Sequence, residues 1–286
     1  NPFSSRCCQH NHAQGWPYFT EHLVLATPDN GVATAIYAAC KATVKVGDGK
    51  EITLHEETNY PFEEAIAFTV STGEKVAFPF YLRIPSWTQK SEVRVNGKKV
   101  SAAPVAGKYL CINREWANGD RVELTLPMSL SMRTWQVNKN SVSVDYGPLT
   151  LSLKIAEKYV EKDSRETAIG DSKWQKGADP QKWPTTEIYP DSPWNYSLVL
   201  DKKEPLKNFK VIRKSWPADN YPFTVTSVPL EVKAIGRPVP EWKIDETGLC
   251  GVLPEEDAVK GDKEEITLIP MGAARLRISA FPNTKE

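Results

Sequence analysis

Charge of one sign is missing from this chain: 36 Lys and Arg balance 36 Asp and Glu, for a formal net charge of zero. Nucleic-acid binding usually requires a basic excess, so that class of partner is disfavoured. Long apolar runs are missing too. None approaches the ~20 residues of a membrane helix, and a soluble protein, bacterial periplasmic or cytoplasmic, is expected. A disulfide framework is absent, because five cysteines is an odd number with no framework spacing. Cys40, Cys111 and Cys250 stand among apolar neighbours and are expected as buried free thiols. No internal repeat is evident. The chain begins at Asn1 rather than Met, and it reads as the C-terminal portion of something longer.

Helical periodicity is scarce. The only good candidate starts near Trp16-Pro17, with proline where a first turn tolerates it. Phe19, Leu23 and Ala26 recur at helical spacing, and Thr27-Pro28-Asp29-Asn30-Gly31 closes the segment. A helix over Pro17 to Ala26 is therefore expected.

Beyond Gly31 the period becomes two. Ile52 and Leu54, then Ile66, Phe68 and Val70, alternate with polar residues. Val76, Phe78, Phe80, Leu82 and Ile84 make the cleanest strand. Asn96-Gly97 between two short runs marks a hairpin turn that needs positive φ at both positions. Strands continue through Leu153, and a run of 286 residues leaves room for two domains. Between Ile155 and Pro229 the chain is rich in proline, tryptophan and lysine, and clean alternation returns from Leu230. Ala274 to Ile278 reads as a closing strand. The pattern predicts an all-β, jelly-roll-like β-sandwich made of residues 29–154 and 230–286, with a second small β-sandwich over 155–229 inserted in it.

The residues with catalytic chemistry crowd the start: Cys7-Cys8, followed by Gln9-His10-Asn11-His12. Adjacent cysteines pair with each other only through a strained ring. They can share a soft metal ion, or one can act as a nucleophile. His10 and His12 could complete a local Cys/Cys/His/His zinc site, but the spacing is tighter than structural zinc sites use. His10 is better placed near a substrate or supporting the thiolate loop. His22 and His55 read as structural or solvated. Glu56-Glu57 and Glu63-Glu64 read as solvated turns. Trp174, Trp183, Trp194 and Trp216 could stack sugars, although tryptophan beside proline is more often packing. Asn195-Tyr196-Ser197 fits a glycosylation sequon that arises often by chance.

The order of landmarks carries more than any one of them. Cys7-Cys8-x-x-Asn11 precedes Asn59-Tyr60-Pro61-Phe62, Leu82-Arg83-Ile84-Pro85-Ser86-Trp87 and Val95-Asn96-Gly97. Trp116-x-Asn118-Gly119-Asp120, Tyr146-Gly147-Pro148-Leu149 and Leu268-Ile269-Pro270-Met271-Gly272 follow. This series resembles glycoside hydrolase family 127, the β-L-arabinofuranosidase group, over essentially the whole chain. The resemblance implies an N-terminal (α/α)6 barrel whose last stretch would be residues 1–28, here a short helical remnant, with the β domains as scaffold behind it. It implies a zinc ion held by a glutamate and three cysteines, Cys7 and Cys8 among them. Cys7 would be the nucleophile of a retaining mechanism. The acid/base and the other zinc ligands would lie upstream of Asn1. The expected partners are a carbohydrate of plant-glycan type and the upstream barrel of the same polypeptide. The fragment alone is expected to be inactive. A non-catalytic carbohydrate-binding or purely structural β-sandwich is the alternative.

Overall fold

A computed structural model describes residues 2–3, 11, 13–166, 173–255 and 261–285. The chain divides into two compact units, one of Cys7–Ser129 and one of Asn1–Arg6 with Leu130–Glu286.

In the first unit a short helix, α1 (Gly15–Glu21), leads into strands β1 (Val24–Ala26), β2 (Val32–Thr34), β3 (Cys40–Val46), β4 (Lys50–Thr58) and β5 (Ala65–Thr72). β6 (Val76–Arg83), β7 (Glu92–Val95), β8 (Lys98–Lys99), β9 (Tyr109–Trp116) and β10 (Arg121–Thr125) follow. One sheet has the order β1-β2-β6-β9 and the other β3-β4-β5-β10-β7-β8. Side chains alternate across a pleated strand, so each sheet turns one face inward. Ile52 and Leu54 of β4, Phe68 of β5, Phe78 and Phe80 of β6 and Trp116 of β9 join one buried cluster. Burying each such side chain contributes roughly 1.5–3 kcal/mol. Trp116 is fully buried, stacks on Phe78 at 5.6 Å and donates its indole N–H to the Phe78 carbonyl at 2.9 Å. That bond satisfies the one polar atom a tryptophan brings into a core.

The expected hairpin is present. Asn96 and Gly97 both take positive φ, 50° and 75°, and join β7 to β8. Gly31 has a different reason to be glycine: a Cβ there would lie 2.3 Å from the Pro79 carbonyl oxygen. That close approach lets β2 run parallel to β6, with Val32 opposite Phe80.

The helix is shorter than its periodicity suggests. It ends at Glu21, and Val24–Ala26 is a strand paired with β2. No residue of α1 is buried, so the apolar repeat at Phe19 gains nothing from the helical state. The backbone after Leu23, itself buried, instead finds strand partners.

The second unit contains β11 (Leu130–Trp135), β12 (Ser141–Tyr146), β13 (Leu149–Leu153), β14 (Glu157–Lys162), β15 (Thr185–Pro190), β16 (Tyr196–Leu200) and β17 (Lys210–Arg213). β18 (Leu230–Pro238), β19 (Glu264–Pro270) and β20 (Asn283–Lys285) complete it. The main sheet runs β11-β12-β13-β19-β18-β16-β20, with β17 on β18, and β14-β15 form a separate ribbon. The division therefore falls at Leu130, not at the 155 and 229 boundaries read from composition. β16 and β17, which the sequence reading gave to an insertion, pair with β18 in the main sheet. All five residues of β16 are buried, and a strand buried on both faces has to sit inside a sheet. Ala274 to Ile278 is not a strand. It follows a 3-10 turn at Met271–Ala273, and the Ile278 carbonyl accepts the Leu153 N–H at 2.8 Å. The closing strand is β20, parallel to β16.

Candidate functional site

Cys7, Cys8 and His10, together with His12, lie outside the described residues. Among the described residues no three His, Cys, Asp or Glu side chains gather closely enough to hold a metal ion. The remaining thiols depart from expectation. Cys40 is half-buried, whereas Cys111 and Cys250 are exposed. Cys111 points to the outer face of β9 because Leu110 takes the inward position, and Cys250 lies in an exposed turn bridged to Ile244.

The most strongly perturbed carboxyl group among the described residues is Glu56. It continues the inward row Ile52, Leu54, Glu56 of β4 and is 1% exposed. Its Oε2 accepts from the Cys40 thiol at 3.9 Å across the β3–β4 pair, while Oε1 has no hydrogen-bond partner. Burial pushes the Glu56 carboxyl up to about 8, against the lowering influence of the Ala38 N–H and the Cys40 thiol. A buried acid without a cation neutralises rather than ionises. Burial and the adjacent Glu56 push the Cys40 thiol up to about 11, so it is not a thiolate at neutral pH.

Tyr37 extends this cluster. Its hydroxyl donates to the Arg83 carbonyl, and its ring meets Tyr60 at 5.8 Å. The Arg83 guanidinium lies 5.9 Å from the Tyr37 ring centre and donates to the Ala35 carbonyl at 2.6 Å. Burial holds the Tyr37 phenol well above its ordinary range. At this depth Glu56 touches no substrate. It is a protonated core acid, and the reading of Glu56-Glu57 as a solvated turn holds only for Glu57, which is exposed. The signal in the sequence was its register: two residues past Leu54, on the inward parity.

Most of the charged groups of one surface groove are paired, Glu63 being an exposed carboxylate in its lining with no ion pair among the described residues. This groove, of about 530 Å³ on the six-stranded sheet, is also lined by Glu57, Glu92, Arg94, Arg121 and Glu123. Arg121 lies 3.4 Å from both Glu57 and Glu123, and Arg94 lies 2.7 Å from Glu92. This is a charge ladder with no aromatic side chain. The tryptophans do not form an exposed row. Trp174 packs edge-on to Phe3 and Trp194 edge-on to Trp242, while Trp183 is exposed. The sequon is closed, because the Asn195 amide donates to the Val239 and Trp242 carbonyls and Ser197 is buried.

Residues 31–128, which span the sandwich of the first unit, match the profile of the beta-L-arabinofuranosidase, GH127 middle domain. The match covers about a third of the chain and is a likeness to that family over that segment. No curated protein matches it. Three solved structures share the fold of this chain at 21% identity. One is Ara127N-Se, a GH127 beta-L-arabinofuranosidase from Geobacillus stearothermophilus T6, with a TM-score of 0.63 over 97% of this chain and 37% of that one. A GH127 beta-arabinofuranosidase gives 0.63 over 97% and 38%. A protein described as a glycoside hydrolase gives 0.62 over 98% and 40%. The chain thus spans 37–40% of the length of these structures. Among its described residues no helix is long and apolar enough to cross a membrane.

Proposed function

We propose that this chain is the C-terminal β-rich region of a longer retaining glycoside hydrolase acting on β-L-arabinofuranosides of plant-glycan type. The observation that carries this reading is the GH127 middle-domain match over residues 31–128. In this reading residues 1–28 close an upstream helical barrel of the same polypeptide, and the sandwiches are mostly scaffold. The protonated, inaccessible Glu56 agrees with a scaffold role, because it offers no reactive group to a sugar.

The nucleophile in this proposal is Cys7. Retaining hydrolysis needs a nucleophile and an acid/base on either side of one glycosidic bond. The thiolate of Cys7 attacks the anomeric carbon as the acid/base protonates the leaving oxygen. The same group then deprotonates a water that displaces the sulfur. In this reading His10 contacts the sugar. Cys7 and Cys8 would supply two thiolates to a zinc ion, whose chemistry is to keep sulfur ionised at neutral pH. The acid/base belongs upstream of this chain, so the fragment alone is inactive.

The test is release of nitrophenol from a panel of nitrophenyl glycosides, including the β-L-arabinofuranoside, by the longer protein and by this chain. Cys7→Ser in the longer protein is expected to abolish turnover. Cys8→Ser should lower both metal content and rate, and Cys40→Ser should leave the rate unchanged. Turnover by the fragment alone would refute the incomplete-site reading. A longer protein inactive on every glycoside would refute the hydrolase reading.

A further inference from the structure

The second unit holds a pocket of about 320 Å³ whose walls come from five segments. Ile155 follows β13, Ile188 lies in β15, Trp194 before β16, Ile244 and Leu249 in a turn after β18, and Arg275 and Arg277 after the 3-10 turn. A volume of this order, mostly apolar walls and a few convergent polar groups describe a small-molecule site.

The turn that forms one wall is fixed in shape. Asp245 Oδ1 accepts from the Thr247 N–H at 2.9 Å, the Thr247 hydroxyl at 2.7 Å and the Leu249 N–H at 3.1 Å. The Asp245 N–H donates to the Leu249 carbonyl at 2.8 Å, and Gly248 takes a φ of 82°. Trp194 is held edge-on to Trp242 at 5.2 Å, and Trp242 donates to the Gly251 carbonyl at 2.9 Å. Yet this braced turn keeps Ile244 45% and Leu249 66% exposed. Rigid backbone that presents apolar side chains at a concave surface marks a binding site more than a packing error.

The charges select the occupant. Among the described residues, both lining side chains with permanent charge are guanidinium groups, and no carboxylate lines the pocket. Arg275 is engaged by the Tyr221 hydroxyl and lies near Tyr159 and Glu157. Arg277 donates its Nε–H to the Ala274 carbonyl at 2.8 Å, and among the described residues no carboxylate pairs with it. Its fork therefore remains suited to a bidentate carboxylate. A sugar would leave its hydroxyls against Ile188, Ile244 and Leu249 without partners, which is costly. A flat apolar body ending in a carboxylate meets both halves of the site.

We infer that this pocket binds a small aromatic carboxylate, its ring between Trp194 and the Ile244–Leu249 turn and its carboxylate on Arg277. The inference is independent of any hydrolytic activity. The probe is 4-hydroxycinnamate, titrated calorimetrically into the chain. Saturable one-site binding is expected. Arg277→Gln should weaken it at least tenfold, with partial recovery in Arg277→Lys, which keeps the charge without the fork. Leu249→Asp, at an exposed position that does not threaten folding, should abolish it. The uncharged 4-hydroxycinnamyl alcohol should bind at least tenfold more weakly, and glucuronate should not saturate the site. Absence of saturable binding, or equal affinity in Arg277→Gln, would overturn the assignment. Tighter binding of glucuronate than of the probe would overturn it in favour of a sugar acid.

Discussion

Two carboxylates of the first unit, Glu56 in β4 and Asp120 at the entrance to β10, are withdrawn from solvent in the same sheet and end in opposite states. Burial pushes Asp120 up, but the Ala117 N–H, the Asn96 amide and Arg114 outweigh it and hold the carboxyl below its ordinary value. Its Oδ2 accepts from Ala117 at 2.9 Å, and its Oδ1 from Asn96 at 2.7 Å. Asn96 in turn accepts the Arg121 N–H at 2.8 Å, which ties the β7–β8 hairpin to β10. Glu56 has a thiol at 3.9 Å and an oxygen with no partner, and burial dominates. Asp120 is the less deeply buried of the two and has more donors aimed at it, and both differences favour its charged form.

The largest effect that could break this contrast is a pH dependence. Glu56 keeps its proton in the folded chain up to about 8, but in the unfolded chain only to the ordinary 4.5. Between these values the folded state binds more protons, so stability falls as pH rises from about 4.5 to about 8 and is flat above. The full swing is on the order of 5 kcal/mol. Glu56→Gln copies the neutral acid and should remove the slope. Urea unfolding at pH 5 and pH 8 would read it, and an identical slope in the variant would show that Glu56 is not the group responsible.

Asp120→Ala comes next. It leaves the Asn96 amide and the Ala117 N–H without their acceptor, at about 2 kcal/mol. The Asp120 contribution is present above pH 3.8 and is lost as pH falls through its lowered folded value. Its pH dependence therefore has the opposite sign to that of Glu56. Thermal unfolding of the two variants across pH would show whether the two slopes oppose. The smallest expected effect is that of Trp116→Phe, which keeps most of the packing but strands the Phe78 carbonyl, at about 1 kcal/mol in denaturant unfolding.

The two carboxylates also show what the chain's pattern disclosed. Asn96-Gly97 and Asn118-Gly119-Asp120 carry local turn chemistry, so their geometry follows from neighbouring residues. The Val76 to Ile84 strand was legible for the same reason, because each inward side chain is two residues from the next. Glu56 was misread because a charged residue near a strand end suggests solvent, while register puts it inside. The partnership of β16 with β18 crosses some thirty residues, and no local signal encodes which strand a buried run will join. Composition marked 155–229 as different, and β14 and β15 within it do form a separate ribbon, but β16 and β17 join the main sheet. The ordered landmarks around Asn59-Tyr60-Pro61-Phe62 and Trp116 fall inside the 31–128 segment that matches the GH127 middle domain. The cysteine pair lies before it, where the described residues are silent.

The central claim is that Cys7 is the nucleophile of a β-L-arabinofuranosidase-type enzyme. The most direct measurement is acid quenching of the longer protein during turnover of nitrophenyl β-L-arabinofuranoside, followed by peptide mass mapping. The expected result is a pentosyl group on the peptide containing Cys7, absent in Cys7→Ser. A pentosyl group on a carboxylate-bearing peptide, or undiminished turnover in Cys7→Ser, would contradict the account.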